Sequence, residues 1–266
     1  METLVSKVEN IIDKINEWFT VNKLTLNVNK TSYVIFRSKR CNNANPPDSI
    51  SCGDIQIQRE SKVKYLGITL HEHLSWDEHT NEICKKLKRF FPLFYNIRSY
   101  LNKENVITIF YTMIYSRLKY GSIVTGLTTQ LNIDKIQILQ NKLLKVLYMK
   151  KYRYSTNRLH NELSILKFDD MVKQEILSFV YQYIHKKLPN VFNNYFIHRQ
   201  NLSEMIEEKR KRRFTLPKVE TKLGENTIKY AGSKLFNEKA SELKLSNAIK
   251  SFRNNVKKTL LIYRDN

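Results

Sequence analysis

The sequence predicts an α+β fold that is predominantly helical, with one small antiparallel sheet at its N-terminal end. Three observations carry this. Beyond Ser75, apolar residues recur at three- and four-residue spacings through most of the chain. Runs of branched and aromatic residues with strand character fall between Thr31 and Leu70. Glycine and proline are scarce, 6 and 5 in 266 residues, so regular elements dominate and flexible linkers are few.

In order, Val5, Val8, Ile12, Ile15 and Phe19 mark one amphipathic helix from Glu2 to Thr20, ended by Asn22 and Lys23. A turn over Leu24 to Lys30 leads into Thr31-Ser32-Tyr33-Val34-Ile35-Phe36-Arg37. That run is apolar in both alternations and predicts a strand covered on both faces. Cys41 to Ser51, with three asparagines and Pro46-Pro47, reads as a loop. Asp54 to Glu60 alternates and is expected to pair with Val63 to Leu70 as a hairpin. Gly67 permits a positive φ or a close backbone approach, and Ser75 with Glu78 forms a capping-box pattern for the next helix.

The period then turns helical. Ile83, Leu87, Phe90, Phe94 and Ile97 form one stripe, with Lys85, Lys86, Lys88 and Arg89 on the other sides. Pro92 inside it should kink or split the helix. Further helices are predicted over Glu104 to Tyr120 with Gly121 as C-cap, Ile133 to Tyr148, and Asp169 to Lys187. Helices over Tyr230 to Ala240 and Asn247 to Tyr263 close the chain, after a polar linker at 200–230. The expected division is a first part at 1–74, a helical bundle at 75–150 and a helical extension at 151–266.

The net charge of +21, from 46 Lys and Arg against 25 Asp and Glu, implies a strongly positive surface and points to nucleic acid. A basic proteome or an acidic protein or membrane partner is the competing explanation. The sequence has no N-terminal apolar run and no apolar stretch of membrane-spanning length, so neither a signal peptide, a membrane span nor a membrane partner is expected. Three scattered cysteines, Cys41, Cys52 and Cys84, point to free thiols in a reducing compartment, nuclear or cytoplasmic.

One set of segments carries more than secondary structure. Trp18-x-x-x-Asn22-x-Leu24-x-Leu26-Asn27-x-x-Lys30-Thr31 precedes Val63-Lys64-Tyr65-Leu66-Gly67-Ile68, and then Leu74-Ser75-Trp76-x-x-His79. Later come Tyr120-Gly121, Leu139-Gln140-Asn141-Lys142, Thr156-x-x-Leu159-x-x-x-Leu163-x-x-Leu166, Ile228-x-Tyr230-x-Gly232 and Phe236-Asn237. In this order and spacing they resemble the C-terminal part of reverse transcriptases of non-LTR, jockey-like retrotransposons, over nearly the whole chain. The resemblance implies a residual palm, a helical thumb and a C-terminal helical region. It makes Lys30 the motif D lysine near an incoming nucleotide's triphosphate, where it would stabilise charge or protonate the leaving group. It makes Tyr65, Leu66 and Gly67 the primer grip, and the helices from Ser75 to about Met149 a thumb that holds duplex product by its phosphates.

The same resemblance places the paired catalytic aspartates upstream of Met1. Without a carboxylate cluster the two Mg²⁺ ions expected of the full-length polymerase have no ligands. The chain is therefore expected to need the missing fingers and upstream palm half, to bind no metal or cofactor itself, and to grip an RNA–DNA hybrid without performing the chemical step. Lys167-Phe168-Asp169-Asp170-Met171 looks like an aromatic-x-Asp-Asp turn, but the helical period after it favours capping of a helix N-terminus. His71, His73, His79 and Cys84 fit no standard zinc spacing. Lys209-Arg210-Lys211-Arg212-Arg213 reads as a phosphate clamp, a nuclear-localisation-like run or a solvated linker. The rival to a polymerase fragment is a basic nucleic-acid-binding or scaffold module, or a decayed product with no selected role.

Overall fold

In the computed structural model, residues 2–39, 46–52, 55–197, 214–243, 245 and 248–262 are described. They divide into two units, Met1–His79 and Thr80–Asn266. The fold is α+β and predominantly helical, as the periodicities predict.

The first unit opens with α1 (Glu2–Val21). It stops in a Schellman arrangement: Lys23 takes a φ of 56°, Leu24 N–H donates to the Phe19 carbonyl, and Lys23 N–H donates to the Thr20 carbonyl. Among the described residues five strands follow: β1 (Ser32–Tyr33), β2 (Ser49–Cys52), β3 (Ile55–Arg59), β4 (Lys62–Tyr65) and β5 (Ile68–His71). They make a three-stranded sheet of order β1-β3-β2 and a separate β4–β5 hairpin.

Here the structure departs from the sequence reading in three ways. β3 pairs antiparallel with β2 and parallel with β1, instead of with the following strand. The alternation of Ile55 and Ile57 is satisfied by opposing Ile57 to Ile50, both 2% exposed. Ser49 to Ser51, expected in a loop, supply that partner. The strand expected over Thr31 to Arg37 forms a ladder only at Ser32 and Tyr33, and Phe36 is exposed, so it is not covered on both faces. Arg37 N–H instead donates to the Glu72 carbonyl.

Glu72 ties this unit together. Its carboxylate accepts from Arg59 Nη2 at 2.7 Å and from Arg37 Nε at 3.2 Å, while 8% of the residue stays exposed. Burial alone would raise its pKa, but the two guanidinium groups outweigh burial and hold it below the ordinary carboxylate value.

The second unit has one continuous core running from Ile83 to Leu260. α2 (Asp77–Lys88) and α3 (Phe90–Ile97) are split at Arg89. Pro92 then falls in the first turn of α3, where a missing N–H costs little. The expected stripe is buried at Ile83, Leu87, Phe90 and Phe94. α4 (Lys103–Ile109), a π-helical stretch (Phe110–Tyr115) and α5 (Ser116–Lys119) follow one another, and Gly121 stands beyond the end at φ 68°. α6 (Ser122–Thr125), α7 (Gln130–Leu147) and α8 (Thr156–Glu162) lead to α9 (Phe168–Ile184).

α9 is the central helix. Met171, Val172, Ile176, Leu177, Val180 and Tyr181 are all buried, so more than one face of the helix is covered. The reason is that α6, α7 and two C-terminal helices, α11 (Ile228–Lys239) and α12 (Ile249–Ile262), all pack on it. The amides of α7 latch the chain that leads into α9. Gln140 Nε2 donates to the Leu166 carbonyl at 2.9 Å, and Gln137 Oε1 accepts from Phe168 N–H at 2.8 Å. Asn141 Oδ1 lies 2.9 Å from Nε2 of His160, which is fully buried.

The 200–230 region is not wholly a linker. Phe214 is buried among Phe196, Tyr183 and Phe236, and α10 (Lys222–Glu225) precedes α11. A Cβ on Gly232 would lie 3.1 Å from the Phe196 ring, so only a glycine lets α11 approach this aromatic cluster undisturbed.

Candidate nucleic-acid interface

In the β4–β5 hairpin Tyr65 opposes Ile68, which leaves Leu66 and Gly67 as a two-residue turn. Both have positive φ, 46° and 80°, the primed turn that matches the twist of paired strands. Glycine suits its place. A leucine in the left-handed region costs on the order of 1–2 kcal/mol, and side chains held at such a cost cluster at functional positions. Tyr65 and Leu66 are 65% and 70% exposed, so the tip presents two bulky apolar groups to solvent. Lys64 is exposed on the same strand, and Lys62 is ion-paired to Glu78 at 2.9 Å.

The helix start after the hairpin differs from the expected capping box. Ser75 Oγ donates to the Asp77 carboxylate at 2.6 Å and accepts from Asp77 N–H at 3.4 Å, while Glu78 turns to Lys62. His79 is buried, and its Nδ1 accepts from Thr69 N–H at 3.2 Å, which fixes β5 to the start of α2.

Lys30 ends a 3₁₀ turn (Val28–Lys30) and is exposed. Asn27 organises the turn: its carbonyl accepts from Lys30 N–H at 3.0 Å and from Thr31 Oγ1 at 2.9 Å. Trp18, Asn22 and Asn27 thus acquire local roles. Asn22 Nδ2 donates to the Trp18 carbonyl at 2.7 Å, and Trp18 keeps 57% of its surface exposed.

On α2 the buried residues Ile83, Cys84 and Leu87 leave Lys85, Lys86, Lys88 and Arg89 on the exposed side. Among the described residues none of these four cations has an acidic partner. Three of them sit in the helix's last turn, where cations suit its dipole. Lys209, Arg210, Lys211, Arg212 and Arg213 lie outside the described residues.

The metal-like patterns are used locally. Asp169 and Asp170 lie in the first turn of α9 and face Lys173 at 2.6 Å and 3.6 Å. His73 Nδ1 lies 3.0 Å from the Arg37 carbonyl, and burial pushes the Cys84 thiol above its ordinary pKa, away from the thiolate a metal needs. Among the described residues no three His, Cys, Asp or Glu side chains converge. No described helix is long and apolar enough to cross a membrane.

One aromatic–basic pair lies on α3. Tyr95 is exposed on α3 with the Arg98 guanidinium 4.5 Å from its ring centroid. Its signal was its position off the Phe90–Phe94–Ile97 stripe, three residues before an arginine.

No family profile matches the chain, and no solved structure matches it. Over 170 residues it is 25% identical to the probable RNA-directed DNA polymerase from transposon X-element of Drosophila melanogaster, covering 62% of this chain and 18% of that protein. It is 23% identical over 157 residues to the probable RNA-directed DNA polymerase from transposon BS of the same species, covering 57% and 17%. Similarity to the RNA-directed DNA polymerase from mobile element jockey of Drosophila melanogaster is 23% over 171 residues, covering 63% and 18%. The chain therefore spans about a fifth of the length of the curated relatives it matches. These likenesses support a reverse-transcriptase-like relationship between this chain and the RNA-directed DNA polymerases of mobile elements.

Proposed function

We propose that the chain is the end of the palm, the thumb and the C-terminal helical region of a non-LTR retrotransposon reverse transcriptase. Its work is to grip primer and product, and the chemical step belongs to the rest of the polymerase. The observation that carries this reading is the hairpin tip: Tyr65 and Leu66 exposed, with Leu66 and Gly67 both at positive φ. A turn so shaped lets backbone and flat side-chain surface meet a strand end closely. The exposed cations Lys85, Lys86, Lys88 and Arg89 supply phosphate contacts.

Two further features support a partner half. α1 exposes Ile11, Ile15 and Trp18, a row of apolar surface suited to the remainder of a palm. Among the described residues the carboxylates of Glu72 and Asp169 are each paired with a cation, which suits a fragment whose metal ligands come from the other half.

The test is binding of an RNA–DNA hybrid across a salt series. A steep log–log slope is expected, and replacing Lys85, Lys86, Lys88 and Arg89 by Gln should flatten it by about 0.7–0.9 for each phosphate no longer neutralised. A flat slope for the intact chain would sink the grip and leave the scaffold reading. Mixing the chain with a separately expressed upstream half should restore templated dNTP incorporation, and Lys30→Ala should slow it if Lys30 serves the leaving group.

A further inference from the structure

A second basic surface lies between α7 and α8, on residues other than those assigned to the grip. Met149-Lys150-Lys151-Tyr152-Arg153-Tyr154 joins the two helices, with Lys145 before it and Arg158 after it. No acidic residue occurs from Lys135 to Asn161.

The loop is held in shape. Met149 takes a φ of 47° and turns the chain out of α7. Lys145 Nζ donates to the Tyr152 carbonyl at 2.6 Å and stands 5.6 Å from the Tyr152 ring centroid. Tyr154 is the inner aromatic. Its hydroxyl donates to Glu162 at 2.7 Å, and Lys150 and Arg158 lie 4.5 Å and 5.8 Å from its ring centroid. Glu162, the next acid along the chain, is engaged by Tyr154 and by Arg158 at 2.8 Å. Tyr152 is left 86% exposed, flanked by exposed Lys151 and Arg153, neither of which has an ion-pair partner among the described residues.

We propose that this loop binds single-stranded nucleic acid, with a base stacked on Tyr152 and the adjoining phosphates on Lys151 and Arg153. An aromatic ring fixed at its backbone and open on its outer side offers a stacking face at small entropic cost. Bases within a duplex have no free face to give it, so the ligand is an unpaired strand. A membrane or an acidic protein would call for a wider apolar patch than Met149 and Tyr152 provide. The inference rests on the nucleic-acid reading above but concerns a different surface and strand type.

The test uses the full chain and fluorescent 15-mers of oligo(dT) and oligo(rU), read by anisotropy. Tyr152→Ala should weaken binding about tenfold, while Tyr152→Phe binds as the parent does. Lys151→Gln with Arg153→Gln should reduce the log–log salt slope by about 1.4, from roughly 0.7 per phosphate contact on a single strand. Loss with only one of the two oligomers names the nucleic acid the site prefers and supports it. The RNA–DNA hybrid affinity of Tyr152→Ala should stay at the parent value, so a failed grip and a failed loop give different results. The inference is overturned if Tyr152→Ala binds both oligomers as the parent does. It is equally overturned if heparin, polyglutamate or phosphatidylserine vesicles occupy the loop with the same Tyr152 dependence.

Discussion

The carboxamide of Asn237 closes two hydrogen bonds on the backbone of Phe214. Phe214 N–H donates to Oδ1 at 2.9 Å, and Nδ2 donates to the Phe214 carbonyl at 2.8 Å. One side chain on α11 thereby does what a neighbouring strand would do, and it anchors Phe214 within the aromatic cluster at 1% exposure.

Replacing Asn237 by Ala should remove both of these bonds from the backbone of a buried residue. The expected cost is about 2–4 kcal/mol, read as a lowered urea midpoint by far-UV circular dichroism. Asn237→Asp keeps the acceptor and loses the donor, so it should fall between. An unchanged midpoint for Asn237→Ala would show that these bonds do not hold the segment.

Leu66 is expected to trade stability against grip. Leu66→Asn places a residue that tolerates the left-handed region beside Gly67, and should stabilise the hairpin by about 1 kcal/mol. Both tryptophans, Trp18 and Trp76, lie in the Met1–His79 unit, so their fluorescence follows this unit's unfolding selectively. The same substitution should weaken hybrid binding. Higher stability with unaltered binding would separate the strain at the tip from its use.

Acid should unfold the Met1–His79 unit through Glu72. Its folded pKa is depressed below the ordinary 4.5, burial being outweighed by Arg59 and Arg37. The sign follows from proton uptake: the contribution is complete above about pH 4.5 and is lost as pH falls through the lowered folded value. Glu72→Gln should weaken the unit at neutral pH and flatten its acid transition in tryptophan fluorescence.

At the alkaline end Tyr115 should act in the opposite direction. Burial first, and then the charge of Glu175, push its phenol up to about 12 from 10.0. A raised folded pKa means that its contribution is full below about pH 10 and disappears as pH rises towards 12. Two pKa units correspond to about 2–3 kcal/mol. Tyr115→Phe, which has no proton to lose, should therefore keep more of its neutral-pH stability at about pH 11 than the parent does.

The sequence by itself determined the elements whose cause is local. Helices at Glu2–Val21, Gln130–Leu147 and Phe168–Ile184 follow from apolar spacing over several turns. Gly67 marked a turn, and Asp169-Asp170 were legible as a helix start because two acids suit that end. Lys85, Lys86, Lys88 and Arg89 were placed outside by the stripe that buries Ile83 and Leu87.

Only the tertiary structure decided what depends on partners distant in sequence. Alternation in Ile55–Arg59 shows a strand but not its neighbour, and the neighbour proved to be Ser49–Cys52, whose Ser-Ile-Ser-Cys alternation is only four residues long and follows an Asn- and Pro-rich stretch. That α9 is buried on more than one face reflects helices α11 and α12, contributed from far downstream in the chain. The positive φ of Leu66 was hidden because leucine does not favour it: the register of β4 against β5 imposes it. The backbone of Tyr152 is bonded by a lysine seven residues earlier, a relation that no periodicity records.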